Sequence, residues 1–183
     1  MKQKFSTIGI DPGVDGAICL MTETHIEVHN MPKKERMRDM PMLLARLKAK
    51  AVSLNGIEPI VFSEKVGGRG SDSGYTSAVL LFHYGLIIMA AICVGLQITN
   101  WYPISWKTYL QLVIKSPKGV EITPAMRKQK TVDFLARLYP GFKFTKKQCD
   151  AVALAHFGKR IVTKDLILKP KHEKEGQMWW LAD

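Results

Sequence analysis

The sequence predicts an α/β protein built on five β-strands, and three observations carry that prediction. Short runs rich in β-branched residues alternate with tight turns over the first thirty residues, and similar runs recur near residues 60 and 98. Longer segments with apolar residues at helical spacing lie between and after them. The 183 residues suffice for one domain with a sizeable core, and 46% hydrophobic with 23% charged residues argues against disorder, a fibre or a coiled coil.

The first three strands are predicted over residues 5–10, 17–21 and 25–30. The two connections between them are short and rich in turn-forming residues, among them Pro12-Gly13. Connections this short join antiparallel neighbours, because a parallel pair needs a crossover of a dozen or more residues. These strands are therefore predicted to form an antiparallel meander.

Two buried strands and two helices are predicted in the middle of the chain. A helix with leucines at helical spacing occupies residues 39–56, and the fourth strand follows over residues 60–64. A glycine-rich loop, residues 67–74, precedes an uncharged apolar segment, residues 78–96, which predicts a core or interface helix. Residues 97–102 then predict the fifth strand.

The last part of the chain is predicted to be helical, with a basic end. A short helix begins at Pro103, a second is capped by Thr123-Pro124, and the last spans about residues 146–157. We expect residues 1–160 to form one domain and residues 161–183 to form a basic C-terminal tail.

The uncharged segment 78–96 is nearly long enough to span a membrane. His83, Tyr84 and two glycines interrupt it, and the surrounding sequence is typical of a soluble α/β protein. We therefore expect no membrane association, and a spanning helix is the alternative that the structure must test.

Basic residues exceed acidic ones, and the excess is concentrated in one part of the chain. The formal net charge is +11, and residues 101–183 hold 16 of the 27 Lys and Arg residues but only seven of the 16 Asp and Glu residues. A one-sided excess of positive charge is typical of a face that binds a polyanion, usually nucleic acid.

Three acidic residues stand in unusual places. Asp11 ends the first predicted strand, Glu64 ends the fourth, and Asp150 lies in an otherwise small and apolar helix. Each acid alone is explained as a capping or surface residue. Together they favour a Mg²⁺ or Mn²⁺ site for phosphodiester hydrolysis, because buried carboxylates that lie close together need cations between them.

The motifs around these acids resemble the RuvC family of Holliday junction resolvases, which belongs to the RNase H-like superfamily. The resemblance rests on the run Ile8-Gly9-Ile10-Asp11-Pro12-Gly13, on Glu64 at the end of the fourth strand, on Pro103…Trp106-Lys107, and on Asp150-Ala151. It covers about residues 5–158, and the loop after Glu64 is more similar to the phage and chloroplast branch than to the cellular bacterial branch.

The resemblance implies a five-stranded mixed sheet with strands 1–3 antiparallel and helices on both faces, so that residues 1–160 form a nuclease domain. It implies a homodimeric Mg²⁺-dependent endonuclease that nicks two opposing strands of a four-way DNA junction. Asp11, Glu64 and Asp150 would be its catalytic residues and metal ligands. Two Mg²⁺ ions are expected, the second at a weaker site, and Mn²⁺ is the expected substitute for Mg²⁺.

Five residues are candidates for DNA contact: Lys65, Arg69, Ser73, Lys107 and Lys118. The first three lie in or beside the glycine-rich loop, which would face the centre of the junction. Lys107 follows Trp106 in a motif where the tryptophan packs and the lysine can reach a phosphate. Lys118 is a weaker candidate, as are Arg127, Lys128 and Lys130, because a run of basic residues is usually a solvated face. A solvated surface residue is the competing explanation for each.

The sequence departs from the family at one position. The family carries a fourth acid about one helical turn before the position of Asp150, where this chain has Lys146 and Lys147. We expect this altered position to weaken the second metal site, so a catalytically weakened junction-binding protein is the alternative function. Sugar kinases and actin-like ATPases share the opening motif but need two domains, which 183 residues do not supply.

Cysteine usage and the N-terminus favour a cytoplasmic protein. Cys19, Cys93 and Cys149 lie far apart among apolar neighbours without metal-ligand spacing, and the charged N-terminus does not match a signal peptide. We expect the host cytoplasm if the protein is phage-encoded, or otherwise the nucleoid. Location in an organelle is the alternative.

Overall fold

A computed structural model of the chain describes residues 3–66, 74–115 and 121–163. Its centre is a five-stranded mixed sheet with the strand order β3-β2-β1-β4-β5. The strands are β1 (Ser6–Asp11), β2 (Ala17–Thr22), β3 (Ile26–Asn30), β4 (Ile60–Glu64) and β5 (Ile98–Trp101). β1, β2 and β3 pair antiparallel, whereas β4 runs parallel to both β1 and β5. The predicted mixed sheet with an antiparallel meander is confirmed.

Helices cover both faces of this sheet, as expected. They are α1 (Met40–Asn55), α2 (Gly74–Cys93), α3 (Pro103–Tyr109), α4 (Pro124–Leu138) and α5 (Cys149–Val162), and an unpredicted 3-10 helix (Lys34–Asp39) precedes α1. Two hydrophobic cores result, one on each face: α1 and α2 pack on the first, and α3, α4 and α5 pack on the second.

The apolar helix α2 was the one candidate for a membrane span. In the part of the chain that the structure describes, no helix is long and apolar enough to cross a bilayer. The buried side chains of α2, among them Ile87 and Ala91, belong to the core that it shares with α1.

Alternation along β1 divides its side chains between the two cores. Ile8 and Ile10 point to α1 and α2, whereas Thr7 and Gly9 face α5. The Thr7 hydroxyl donates a hydrogen bond to the backbone oxygen of Ala155, at 2.9 Å. This bond ties the middle of α5 to the central strand.

The close contact between β1 and α5 depends on Gly9. A Cβ atom at this position would lie 2.1 Å from the backbone oxygen of Ala151 and 2.4 Å from the backbone nitrogen of Ala155. Since a helix backbone cannot yield as a flexible side chain does, only glycine permits this approach. A second close approach lies at Gly158 of α5, about one helical turn after Ala155. A Cβ atom there would collide with the ring of Phe62.

The start of α5 differs from the prediction. The sequence placed Lys146 and Lys147 on the helical face of Asp150, but α5 begins at Cys149. Residues 145–148 form a turn instead, in which the Thr145 backbone N–H donates to the Gln148 side chain at 3.2 Å. Lys146 and Lys147 therefore lie in the turn before the helix, and their place at the altered fourth-acid position stays a prediction. The division at residue 160 and the tail stay predictions, since residues 164–183 lie outside the described part.

We expect Gly9→Ala to destabilise the protein by about 3 kcal/mol or more, because its methyl group overlaps the backbone of α5. Gly141→Ala is the matched control. Nothing lies within 4 Å of a Cβ at that exposed position, so the change should stay within about 0.5 kcal/mol. Urea unfolding followed by circular dichroism measures both. Equal stabilities for the two variants would contradict this account of the β1–α5 contact.

Candidate active site

The sheet topology brings two of the three predicted acids side by side. β1 and β4 are parallel neighbours in which Ile10 pairs with Ser63, so the next residues, Asp11 and Glu64, end the two strands at the same edge. Because side chains alternate, both carboxylates lie on the face that α5 covers. Parallel strands that end together create a site at their carboxyl ends.

The third acid reaches this edge from α5. Asp150 is the second residue of the helix and is 6% exposed. Since Gly9 lets the helix lie directly on β1, its first turn sits over the strand end that carries Asp11. Burial raises the pKa of Asp11 above its usual range, and the charge of Asp150 adds to the shift. The structure thus brings Asp11, Glu64 and Asp150 together.

Two lysine ammonium groups lie among the three carboxylates. The Nζ atom of Lys107, from α3, is 3.4 Å from Asp150 Oδ2 and 3.9 Å from Glu64 Oε2. The Nζ atom of Lys128, from α4, is 3.3 Å from Asp150 Oδ2 and 3.6 Å from Asp11 Oδ2. One oxygen of Asp150 therefore faces both cations, and five elements of the fold converge on this carboxylate cluster of Asp11, Glu64 and Asp150.

Trp106 connects the tryptophan–lysine motif to the cluster. Its indole is fully buried, and its Nε1–H donates to Glu64 Oε2 at 3.3 Å. The ammonium of Lys107 lies 4.8 Å from the centre of the same ring, within cation–π distance. The adjacent residues therefore act as a unit that holds Glu64 from one side.

Burial sets the protonation of Glu64. It raises the pKa of this carboxyl to about 7, although the charge of Lys107 and the Trp106 hydrogen bond oppose the shift. Asp11 is stabilised in its charged form by the Gly13 backbone N–H, which donates to Asp11 Oδ1 at 3.4 Å. Burial therefore raises the pKa of both strand-end carboxyl groups, and the neighbouring hydrogen bonds and ammonium groups oppose this shift.

Lys128 is a residue of the site that the sequence predicts only weakly. The run of basic residues around it is typical of a solvated face, but the structure places its ammonium beside Asp11 and Asp150. Burial alone would lower the pKa of Lys128, and the carboxylates of Asp150 and Asp11 more than offset this, so the pKa is raised. Helical spacing held the signal, because Lys128 shares a stripe with Thr131 and Leu135, the buried residues of α4.

The cluster opens into a cleft of about 620 Å³. Charged and apolar residues both line it. The charged ones include Asp11, Glu64, Asp150, Lys107, Arg127 and Lys128, and the apolar ones include Ile104, Leu112, Val113, Ile114, Pro103 and Pro124. Such a cleft has the size and mixed polarity to receive a nucleotide unit of an extended polyanion.

The donor set suits a hard divalent cation in type, since it consists of carboxylate oxygens only. Its arrangement does not yet form a coordination shell. Within residues 3–66, 74–115 and 121–163, no group of three acidic, histidine or cysteine side chains is positioned to hold a metal ion. The Lys107 and Lys128 ammonium groups pair with the carboxylate oxygens that an ion would need as ligands.

The predicted DNA-contact residues fall into two groups. Lys107 lies in the cluster, and Lys65 lies beside it after β4, with its ammonium 4.6 Å from the centre of the Tyr102 ring. Arg69, Ser73 and Lys118 lie outside the described residues. Their roles in DNA contact stay predictions.

The two lysines at the altered fourth-acid position, Lys146 and Lys147, are both exposed. The ammonium of Lys147 pairs with Asp15 Oδ1, and this hydrogen bond lowers the pKa of Asp15. The cations that face Asp150 are instead Lys107 and Lys128.

Strand order, strand directions and the position of the acids define an RNase H-like α/β fold. Comparison with solved structures narrows this to a RuvC-like fold. The chain resembles T. thermophilus RuvC in complex with Holliday junction substrate, with a TM-score of 0.55, 17% identity, and coverage of 87% of this chain and 97% of that one. A second structure, of Thermus thermophilus RuvC, has a TM-score of 0.53 and 18% identity, and the match covers 87% of this chain and 98% of that one.

Comparisons by sequence add nothing to this: no family model and no curated protein matches the chain. The resemblance to the fold of RuvC, predicted from the motifs, is confirmed by structure. Assignment to the phage and chloroplast branch stays a prediction.

We expect Glu64 in the metal-free protein to titrate near pH 7, because burial disfavours its charged form. Lys107→Met should raise this pKa further, and Trp106→Phe should raise it by less, since the charge of Lys107 opposes the shift more strongly than the indole hydrogen bond does. Carbon-detected NMR of the side-chain carboxyl, assigned with Glu64→Gln and recorded in EDTA, measures the three values. A titration near pH 4.5 in the parent protein would contradict the burial of this group.

Proposed function

We propose that this protein is a structure-selective endonuclease that resolves four-way DNA junctions by divalent-metal-dependent hydrolysis of phosphodiester bonds. The observation that carries the proposal is the carboxylate cluster, formed by β1, β4 and α5 at one edge of a RuvC-like sheet. The printed description of one structural neighbour names a Holliday junction substrate, which agrees with this assignment.

Asp11, Glu64 and Asp150 are the residues that would hold Mg²⁺, with Mn²⁺ as a substitute and a second ion at a weaker site. Their oxygen-only chemistry supports this choice of ion. A bound divalent ion would supply activation of water and neutralisation of charge on the leaving oxygen. The three carboxylates contribute the ligand set, and Trp106 fixes Glu64 within it.

The basic side chains around the cleft support a DNA backbone as the occupant. Lys107, Arg127 and Lys128 line it, and the chain carries a net charge of +11. Ammonium and guanidinium groups in such a cleft bind phosphates irrespective of base sequence. The apolar residues that line the cleft, among them Ile104 and Val113, offer a surface for the sugar or base beside the bound phosphate.

The exposed side of α2 supports a homodimer. Leu81, Phe82 and Met89 lie at helical spacing and are at least about half exposed, and α2 carries no charged residue. An uncharged exposed helix face of this kind is covered by a partner in most soluble proteins. A two-fold axis there would present two cleavage sites to a junction that itself has two-fold symmetry.

One observation favours a second candidate function, a junction-binding protein with weakened catalysis. Lys107 and Lys128 each pair with two of the three carboxylates, so ammonium groups already offset much of the negative charge of the cluster. A protein that kept the basic cleft and never bound an ion would bind branched DNA and leave it intact.

The decisive experiment compares nicking of a synthetic four-way junction with nicking of a linear duplex of the same sequence, in Mg²⁺, in Mn²⁺ and in EDTA. We expect cutting of the junction alone, and only with a divalent ion. Asp11→Asn should reduce it by at least about 100-fold, because a ligand is lost, while junction binding in EDTA is retained.

Asp133→Asn is the matched control, since Asp133 is an exposed acid on α4 that pairs with Gln129 outside the cluster. It should cut at the parent rate. Binding of the junction in EDTA without cutting in either metal would favour the binding-only function. Cutting by Asp11→Asn at the parent rate would refute the assignment of the cluster.

For the homodimer, we expect a dimer at micromolar concentration by light scattering. Phe82→Glu should shift the protein to monomer, because it places a charge in the apolar face of α2. Met42→Glu, at an exposed position of α1, should leave the dimer intact. A monomeric parent protein, or a dimer unaffected by Phe82→Glu, would remove α2 as the interface.

A further inference from the structure

Lys128 occupies the position between the two carboxylates at the centre of the cluster. Its Nζ lies 3.6 Å from Asp11 Oδ2 and 3.3 Å from Asp150 Oδ2. An ion held jointly by these two groups would need as ligands the same carboxylate oxygens that pair with the Lys128 ammonium. A divalent cation bound to those oxygens and a lysine ammonium beside them repel each other strongly. The two cations therefore compete for Asp11 and Asp150.

The surroundings of the two lysines indicate which one leaves. Lys107 lies against the Trp106 ring and faces both Glu64 and Asp150. Lys128 comes from α4 at the edge of the cleft, with its side chain 36% exposed against 29% for Lys107. A long flexible side chain with a partly exposed stem can rotate its ammonium into the cleft without unpacking its helix.

We propose that Lys128 is a resident cation of the carboxylate cluster, which a divalent ion displaces and which then binds the phosphate of DNA in the cleft. The proposal rests on the proposed function and adds to it a coupling between metal and DNA. A phosphate offers the displaced ammonium a new anion, so DNA facilitates metal entry. By linkage, each ligand then raises the affinity of the other by the same factor.

The exchange also explains how one cluster remains folded in two states. With no ion bound, two ammonium groups compensate the three buried carboxylates. With an ion bound, Lys107 and the ion would share that task. Buried carboxylates are never left without a cation in either state, which is the condition for a stable buried cluster.

The first test measures Mn²⁺ binding without DNA, by electron paramagnetic resonance of the free ion. Lys128→Met should bind Mn²⁺ at least about tenfold more tightly than the parent protein, because the competing cation is removed. Lys128→Arg keeps the charge and should not bind more tightly. Lys130→Met is the matched control: Lys130 is a basic residue of α4 whose ammonium bonds the Val113 backbone oxygen, and its loss should leave the affinity unchanged.

Mn²⁺ affinity of Lys128→Met that is equal to or weaker than that of the parent would overturn the proposal. Because removal of the ammonium leaves carboxylates unpaired, folding of each variant is checked by circular dichroism. Lys128→Gln, whose amide N–H groups still donate to a carboxylate, replaces Lys128→Met if the latter does not fold. The same increase in Mn²⁺ affinity is expected for it.

The second test measures binding of a four-way junction as a function of salt, once in EDTA and once in Ca²⁺, a divalent ion that carboxylates also bind. If the ion releases Lys128 to a phosphate, Lys128→Met should weaken binding several-fold and lower the salt dependence by about one phosphate contact in Ca²⁺, and have a smaller effect in EDTA. An effect of Lys128→Met that is absent in Ca²⁺, or equal in the two conditions, would overturn the transfer to DNA.

The outcome is separable from that of the proposed function. A parent protein that cuts junctions while Lys128→Met gains no metal affinity refutes the exchange alone. A protein that shows the exchange in both tests but cuts no junction in Mg²⁺ or Mn²⁺ refutes the hydrolytic function alone.

Discussion

The contact between α5 and β1 at Gly9 is the constraint on which the site depends. Because Gly9 has no Cβ, the backbone at Ala151 and Ala155 lies directly on the central strand. The distance between α5 and the sheet sets the position of the first turn of α5. It thereby sets the distance from Asp150 to the ends of β1 and β4. A larger residue would lift the helix and separate Asp150 from Asp11, so core packing and site geometry are one requirement here.

Burial at that edge creates an electrostatic problem that the neighbouring helices solve. Packing α5 on the sheet removes three carboxylates from water, which raises the pKa of Asp11 and brings that of Glu64 to about 7. Without nearby cations the cluster would destabilise the fold. Lys107 from α3 and Lys128 from α4 supply them. The two helices thereby connect the second core to the site.

The strands and two of the acids were predictable from sequence because the signals are local. Turn residues and alternation locate β1 and β4, and their last residues are Asp11 and Glu64. The spacing of Lys128 from Thr131 and Leu135 indicates that its side chain faces inward, but its carboxylate partners depend on the packing of α4 against α5, which the sequence of α4 alone does not show. The start of α5 was missed because the Gln148 side chain accepts a hydrogen bond from the Thr145 backbone N–H and closes a turn, where helix propensity alone predicts more helix.

The same two lysines fit a metal-dependent nuclease and a protein that only binds DNA, and the difference lies in whether one of them can leave. An ammonium packed against an aromatic ring and shared by two carboxylates is held by three groups, as Lys107 is. An ammonium between two carboxylates at a cleft edge has a path to solvent, as Lys128 has. A phosphate in the cleft adds an anion on that path. A fixed Lys107 and a movable Lys128 would therefore keep the carboxylates paired without a metal ion and free Asp11 and Asp150 for an ion when DNA is bound.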